Sequence, residues 1–160
     1  MGAFDRTICD CCVCPMQCVM EKLVTRDVGI ATPVRVTPVT INSVENFIAN
    51  TSQGSFPICN VTAVGTIPPF DIDLNLKPVQ KDIKGKCSCC EDPATNELQQ
   101  LIGKEVNLEF IGGIAPFADG NIVTGKVSQV GEGILILSDL GITFSNAAIS
   151  TCQITRIELN

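Results

Sequence analysis

The chain has 160 residues and a net charge of −6, with ten cysteines and no histidine, tryptophan or tyrosine. An acidic chain without a basic stripe is a poor partner for nucleic acid or an anionic membrane surface, and no apolar run approaches the ~20 residues of a spanning helix. Without histidine the usual general base near neutral pH is missing, and nothing stands by to lower a thiol pKa, so neither enzymatic activity nor a cofactor is expected.

Residues 1–14 have no hydrophobic period and carry Cys9, Cys11, Cys12 and Cys14, which predicts an extended, cysteine-rich arm. The opening Met1-Gly-Ala-Phe-Asp-Arg6 has no apolar h-region, so no signal peptide is expected. Ten thiols suit a disulfide framework; the missing leader leaves two redox settings open, a reducing cytosol or later exposure to oxidant by an unconventional route. Pro15 suits the first turn of a helix, and Met16, Val19, Met20 and Leu23 follow at helical spacing. Alternation then predicts strands near 24–31, 34–41, 46–50, 55–58 and 61–66. Residues 67–86 read as a linker.

The cluster returns after the linker. Cys9-Asp-Cys11-Cys12-Val-Cys14-Pro15 is answered by Cys87-Ser-Cys89-Cys90-Glu-Asp-Pro93, the motif C-x-C-C-x-x-P at an offset of 78 (Cys9 to Cys87). Met20, Leu23, Val24, Arg26, Asp27, Val28 and Ile30 stand opposite Leu98, Leu101, Ile102, Lys104, Glu105, Val106 and Leu108. Further on, Cys59 answers Cys152 at an offset of 93, so the second copy carries about fifteen extra residues. This is an internal duplication. In the second unit Asp92 is a candidate cap, Pro93 a first helical residue, Leu98, Leu101 and Ile102 an apolar face and Gly103 a stop. Strands are predicted at 106–110, 122–130, 134–138, 142–146 and 154–159, with a Gly/Pro-containing loop over 112–120. The expected fold is mainly β: two tandem five-stranded barrels, each preceded by a short helix, with boundaries 1–14, 15–66, 67–86 and 87–160.

The helix ending in L-I-G-K-x-V-x-L, the G-K-V-x-x-V-G and G-I-L-I-L strands and the closing I-S-T-C-Q-I-T-R-I-E-L resemble the Sm-like family of small, bent five-stranded barrels. The likeness covers about residues 93–160 well and 15–66 weakly. It implies association through exposed edge strands. The polar, basic and aromatic loop residues of the RNA-binding members have no counterparts here, so an RNA-binding Sm-like protein is only the third reading. Cysteine-rich acidic chains with such barrels are also similar to coat and outer-layer proteins of endospore-forming bacteria. That resemblance implies synthesis in the mother-cell cytoplasm, a final position on the spore surface (coat, exosporium or appendage), and as partners copies of itself or other spore-surface proteins.

Two clusters of thiols in polar sequence are poorly explained as core, and cross-linking is the functional reading. By the repeat, Cys59 is expected to join one of Cys9, Cys11 or Cys12, with Cys12 favoured, and Cys152 one of Cys87, Cys89 or Cys90, with Cys90 favoured. Cys59 and Cys152 could instead be small buried hydrophobes. Cys14 and Cys18 have no partners in the second unit; with Cys9, Cys11, Cys87 and Cys89 they are candidates for intermolecular bonds from an arm, residues 1–18, laid onto a neighbour. A zinc scaffold built on Cys11, Cys14, Cys18 and either Cys9 or Cys12 is the runner-up, weakened by Asp92 and Asn96 at the equivalent positions and by the lack of histidine. Asp71 and Asp73 lack the further oxygen ligands of a calcium loop and read as a solvated face. Asp119-Gly120 reads as a turn. The reading that results is a self-assembling structural protein, disulfide cross-linked into a fibre or sheet.

Overall fold

The computed structural model describes residues 13–68, 76, 91–117, 121–141 and 143–160. Helix α1 (Val13–Lys22) leads into strands β1 (Asp27–Ala31), β2 (Val36–Glu45), β3 (Ile48–Thr51), β4 (Gly54–Pro57) and, after a 3-10 turn at Ile58–Asn60, β5 (Ala63–Thr66). Helix α2 (Glu91–Gln99) leads into β6 (Glu105–Phe110), β7 (Val123–Gly131), β8 (Ile134–Ser138), β9 (Asn146–Ser150) and, after a 3-10 turn at Thr151–Gln153, β10 (Ile154–Leu159).

Each helix forms for the reason its spacing suggests. Met16, Val19, Met20 and Leu23 fall on one side of α1 and are fully buried, while Pro15 lies in the first turn, where a missing N–H breaks no helical bond. The helix begins at Val13, so the arm boundary at residue 14 and the arm over 1–18 are both corrected. Cys14 and Cys18 are helical, and buried Met16 holds this stretch on its own chain. In α2 the start is Glu91, so Asp92 is inside the helix rather than its cap, and Ile102 is 49% exposed rather than part of the buried face.

The repeat is visible in backbone detail. Thr25, with φ of 73°, turns the chain from α1 into β1 as Gly103, with φ of 85°, turns it from α2 into β6. This forced turn shortens the expected strand 24–31 to Asp27–Ala31. Long strand β2 pairs with β1 through its first half and with β3 through its second, with a register shift between Ile41 and Ser43. Strand β7 has its shift between Val127 and Gln129, the same place at an offset of 86. Such shifts bend a strand, letting it serve two parts of a curved sheet. Asn46 and Phe47, both with positive φ, make the two-residue turn between β2 and β3, and residues expected at the start of a strand become its corner.

All ten strands belong to one open antiparallel sheet in the order β10-β6-β7-β8-β9-β5-β1-β2-β3-β4. Expected as two separate sets, the strands are joined where β5 pairs with β9, with Ala63 opposite Ile149, Val64 opposite Ala148, Gly65 opposite Ala147 and Thr66 opposite Asn146. Each half nonetheless keeps the same order, last-first-second-third-fourth. Among the described residues β4 does not pair with β5, nor β9 with β10. Strand β9 also lies at Asn146–Ser150 rather than the expected 142–146. Its five residues are all buried, so it lacks the alternation that marks a half-exposed strand.

Two apolar clusters lie on the sheet and exchange members. Ile134, Ile136 and Ala148 of the second unit pack into the first cluster, and Ala31 and Ala63 of the first unit pack into the second. Leu76, from the expected linker, packs against the first cluster as well. The offset between the units grows from 78 to 86 across the β6–β7 connection and to 93 across β8–β9, and these two longer loops supply Phe117 and Phe144. Their rings stack at 4.9 Å between centroids, with Phe110 edge-on to Phe117 at 6.4 Å. They lie over Gly65 and its cross-strand neighbour Gly29: a Cβ on Gly65 would sit 2.6 Å from Phe117 Cε1. The second copy's extra length thus packs it onto the first.

Candidate functional site

Among the described residues the sheet has two free edges, β4 and β10, and hydrogen-bond parity shows which backbone groups they present. In an antiparallel pair the residues that exchange bonds alternate with residues whose N–H and C=O point away. Ile58 N–H donates to Phe47 O at 2.9 Å, so Phe56 and Gly54 bond inward to β3 while Ser55 and Pro57 face out. Proline fits here because its absent N–H would have pointed at the free edge. At the other end Asn160 N–H donates to Glu105 O at 3.1 Å, so Glu158 and Arg156 bond inward to β6 while Ile157 and Leu159 face out. Arg156 bridges Glu109 at 3.1 Å and Glu158 at 3.0 Å. Charges and proline are the usual means of keeping an edge from indiscriminate pairing.

The thiols divide into three groups. Cys18, on α1, and Cys59, on the first 3-10 turn two residues past β4, are exposed free thiols. The expected bond from Cys59 to Cys12 is therefore absent from this structure, and Cys59 is not a small buried hydrophobe either. Partial burial of the Cys18 thiol, reinforced by the Glu21 carboxylate and opposed by Lys22, raises its pKa. Cys152, half-buried on the second 3-10 turn, is disulfide-bonded. The cysteines expected as its partner, Cys87, Cys89 and Cys90, lie outside the described residues, as do Cys9, Cys11 and Cys12; of Cys14 only the helical backbone is described.

Among the described residues no three histidine, cysteine, aspartate or glutamate side chains gather as a metal site, and no helix is long and apolar enough to cross a membrane. The zinc candidates fall mostly outside the described residues, as do Asp71, Asp73, Asp119 and Gly120. An open, mainly apolar cleft of about 660 Å³ lies between the units, lined by Val28, Pro38, Ile67, Pro68, Pro116 and Phe144. Its charged lining residues are Arg26 and Asp27, at one end of β1.

Sequence reasoning singled out the thiols but not the edges. The offset of 93 equates β5 with β10, but which of the two is paired and which is free depends on the strand that lies beside each. No protein-family model, curated protein or solved structure matches the chain.

Proposed function

We propose that this is a structural protein that assembles with copies of itself through the edges of its sheet and is sealed by disulfides into a fibre or sheet. The observation that carries this reading is the β5·β9 seam. Two copies of one helix-plus-five-strand unit are already joined edge to edge within the chain, and among the described residues one edge of each kind is left unpaired.

In this reading each unit is a bent barrel of the Sm-like type, supported by the repeated strand order and by the equivalent bulges in β2 and β7. Exposed Cys18 and Cys59, together with the cysteines of residues 1–12 and 87–90, supply the cross-links. Cys59 serves between molecules better than within one, since it is free and stands beside β4. A position on a bacterial spore surface is what the resemblance to cysteine-rich coat and outer-layer proteins of endospore-forming bacteria implies, and such a layer would gain kinetic resistance to heat and denaturant from its covalent links.

Electrophoresis of material from spores under denaturing conditions, with and without reductant, tests the proposal. A ladder, or protein too large to enter the gel, that collapses to 17.0 kDa on reduction is expected. A single 17.0 kDa band without reductant would overturn covalent assembly.

A further inference from the structure

Self-assembly, as proposed above, leaves open which edges meet and how; the internal seam answers both, and the inference rests on that reading. In the seam Ser150 N–H donates to Thr62 O at 3.0 Å, so by parity the Thr62 carbonyl, Val64 and Thr66 face β9, and Asn146, Ala148 and Ser150 face β5, while Thr62 N–H donates to Ala31 O at 2.9 Å on the other side. Moved by the repeat offset of 93, the first three become Thr155, Ile157 and Leu159 on β10, and the second three become Gln53, in the turn before β4, and Ser55 and Pro57 on β4. These include the outward-facing residues established separately from the β3·β4 and β6·β10 ladders. Two independent routes, repeat arithmetic and hydrogen-bond parity, agree on the same backbone groups.

We infer that β4 of one copy pairs antiparallel with β10 of the next in the register of the internal seam, with Ser55 opposite Ile157, Phe56 opposite Arg156 and Gly54 opposite Glu158. The pairing is head to tail: each molecule uses a different edge on its two sides, so assembly continues unless the rotation per step closes a ring.

The burial of equivalent positions fits a missing neighbour. Thr66 and Val64 are buried in the seam, whereas their equivalents Leu159 and Ile157 are 54% exposed and half-buried. Ile149 and Ala148 are fully buried, whereas Phe56 is half-buried and Ser55 exposed. Helix α1 packs over β9, the seam strand of the other unit, as well as over β2; α2 packs over β7 and β8, with no strand among the described residues in the position of β9. Accordingly Leu23 is fully buried, while its equivalent Leu101 is only half-buried and Ile102 beside it is exposed. The β4 of a neighbour would complete that cover.

The contact between molecules is weaker than the seam by design of its residues. Pro57 stands where Ser150 donates its bond, and Gln53 N–H is already taken by Thr51 Oγ1 at 3.1 Å. What remains is chiefly the reciprocal pair of bonds between Ser55 and Ile157, with Leu159 N–H to Gln53 O. Non-covalent assembly is therefore reversible, and disulfides are what make it permanent.

Ser55→Pro and Ile157→Pro each remove one outward N–H without removing a backbone bond inside the sheet, although Ser55→Pro also loses the bond that Ser55 Oγ donates to Asn50 Oδ1 at 2.8 Å. In reductant, the wild type should give species larger than 17.0 kDa with rising concentration, and each variant alone should stay at 17.0 kDa. An equimolar mixture of the two should give a species of twice that mass and nothing larger, because one intact β10 meets one intact β4. Circular dichroism confirms folding of each variant; should either fail to fold, hydrogen exchange on the wild type decides. The amides of Ser55 and Ile157 should slow on assembly, while those of Phe56 and Glu158, bonded inside the sheet, should not change. Dimers of one variant alone would mean that like edges pair, and unchanged exchange at Ser55 and Ile157 in assembled protein would mean that other surfaces meet; either overturns the inference and leaves self-assembly standing. A wild type that stays monomeric at every concentration would overturn both.

Discussion

Adding a single methyl group at Gly65 tests whether the aromatic pair from the long loops holds the two units together. The Cβ would lie 2.6 Å and 2.7 Å from Phe117 Cε1 and Cζ and 2.8 Å from Phe144 Cγ, all inside contact distance. Phe117 is fully buried and Phe144 nearly so, with their rings stacked, so neither can give way without opening the second core. Overpacking of this kind costs about 1–3 kcal/mol, and the reduced freedom of the unfolded chain returns about 0.4–1 kcal/mol, leaving Gly65→Ala destabilised by roughly 1–2 kcal/mol. Phe117→Ala alone should cost about 3–5 kcal/mol through lost burial and a cavity. In the double variant the new methyl enters space that the ring has left, so the combined loss should fall short of the sum by about 1–2 kcal/mol. The chain has no tryptophan or tyrosine, so urea unfolding in reductant is followed by far-ultraviolet circular dichroism. With a slope of about 2 kcal/mol/M, Gly65→Ala should lower the midpoint by roughly 0.5–1 M. Strict additivity, or a neutral Gly65→Ala, would show that the rings do not lie over β5.

Three further outcomes are expected. Thr25, a β-branched residue at φ of 73°, should be replaceable by glycine, as its equivalent Gly103 already is; the relief, less the entropy of glycine, should raise stability by about 0.5–1 kcal/mol, read as a higher melting temperature. The raised pKa of Cys18 makes its thiolate scarce at neutral pH, so it should alkylate more slowly than an unstructured thiol, and Glu21→Gln should speed the reaction by removing one of the raising influences. The sign for stability follows: the folded state holds this proton more tightly, so the contribution is complete below the pKa of the unfolded thiol and is lost as pH rises through the raised value, a dependence that Cys18→Ser should remove. Deleting residues 1–12, which leaves α1 and Met16 intact, should give folded protein that no longer forms reduction-sensitive polymers; persistence of the ladder in oxidant would assign the links to Cys18, Cys59 and the second cluster.

Local rules sufficed for much of this chain. Helical spacing of Met16, Val19, Met20 and Leu23 and period-two alternation in β6 and β7 depend on each element having one dry and one wet face, a property written into neighbouring residues. The duplication was equally legible, since it compares the chain only with itself, and it located Thr25 opposite Gly103 and one 3-10 turn opposite the other. Three features were decided by tertiary structure. Strand β9 is buried on both faces, so no period marks it and its position depends on β5 lying alongside. The purpose of the second copy's extra residues appears only when Phe117 and Phe144 are seen over Gly29 and Gly65, contacts between residues far apart in sequence. The free edges likewise cannot be read from β4 or β10 alone. A strand's hydrogen-bonding sides are occupied or empty according to which strands arrive beside it, and only the fold shows that β5 and β9 have used one pair of edges and that, among the described residues, the other two are unpaired.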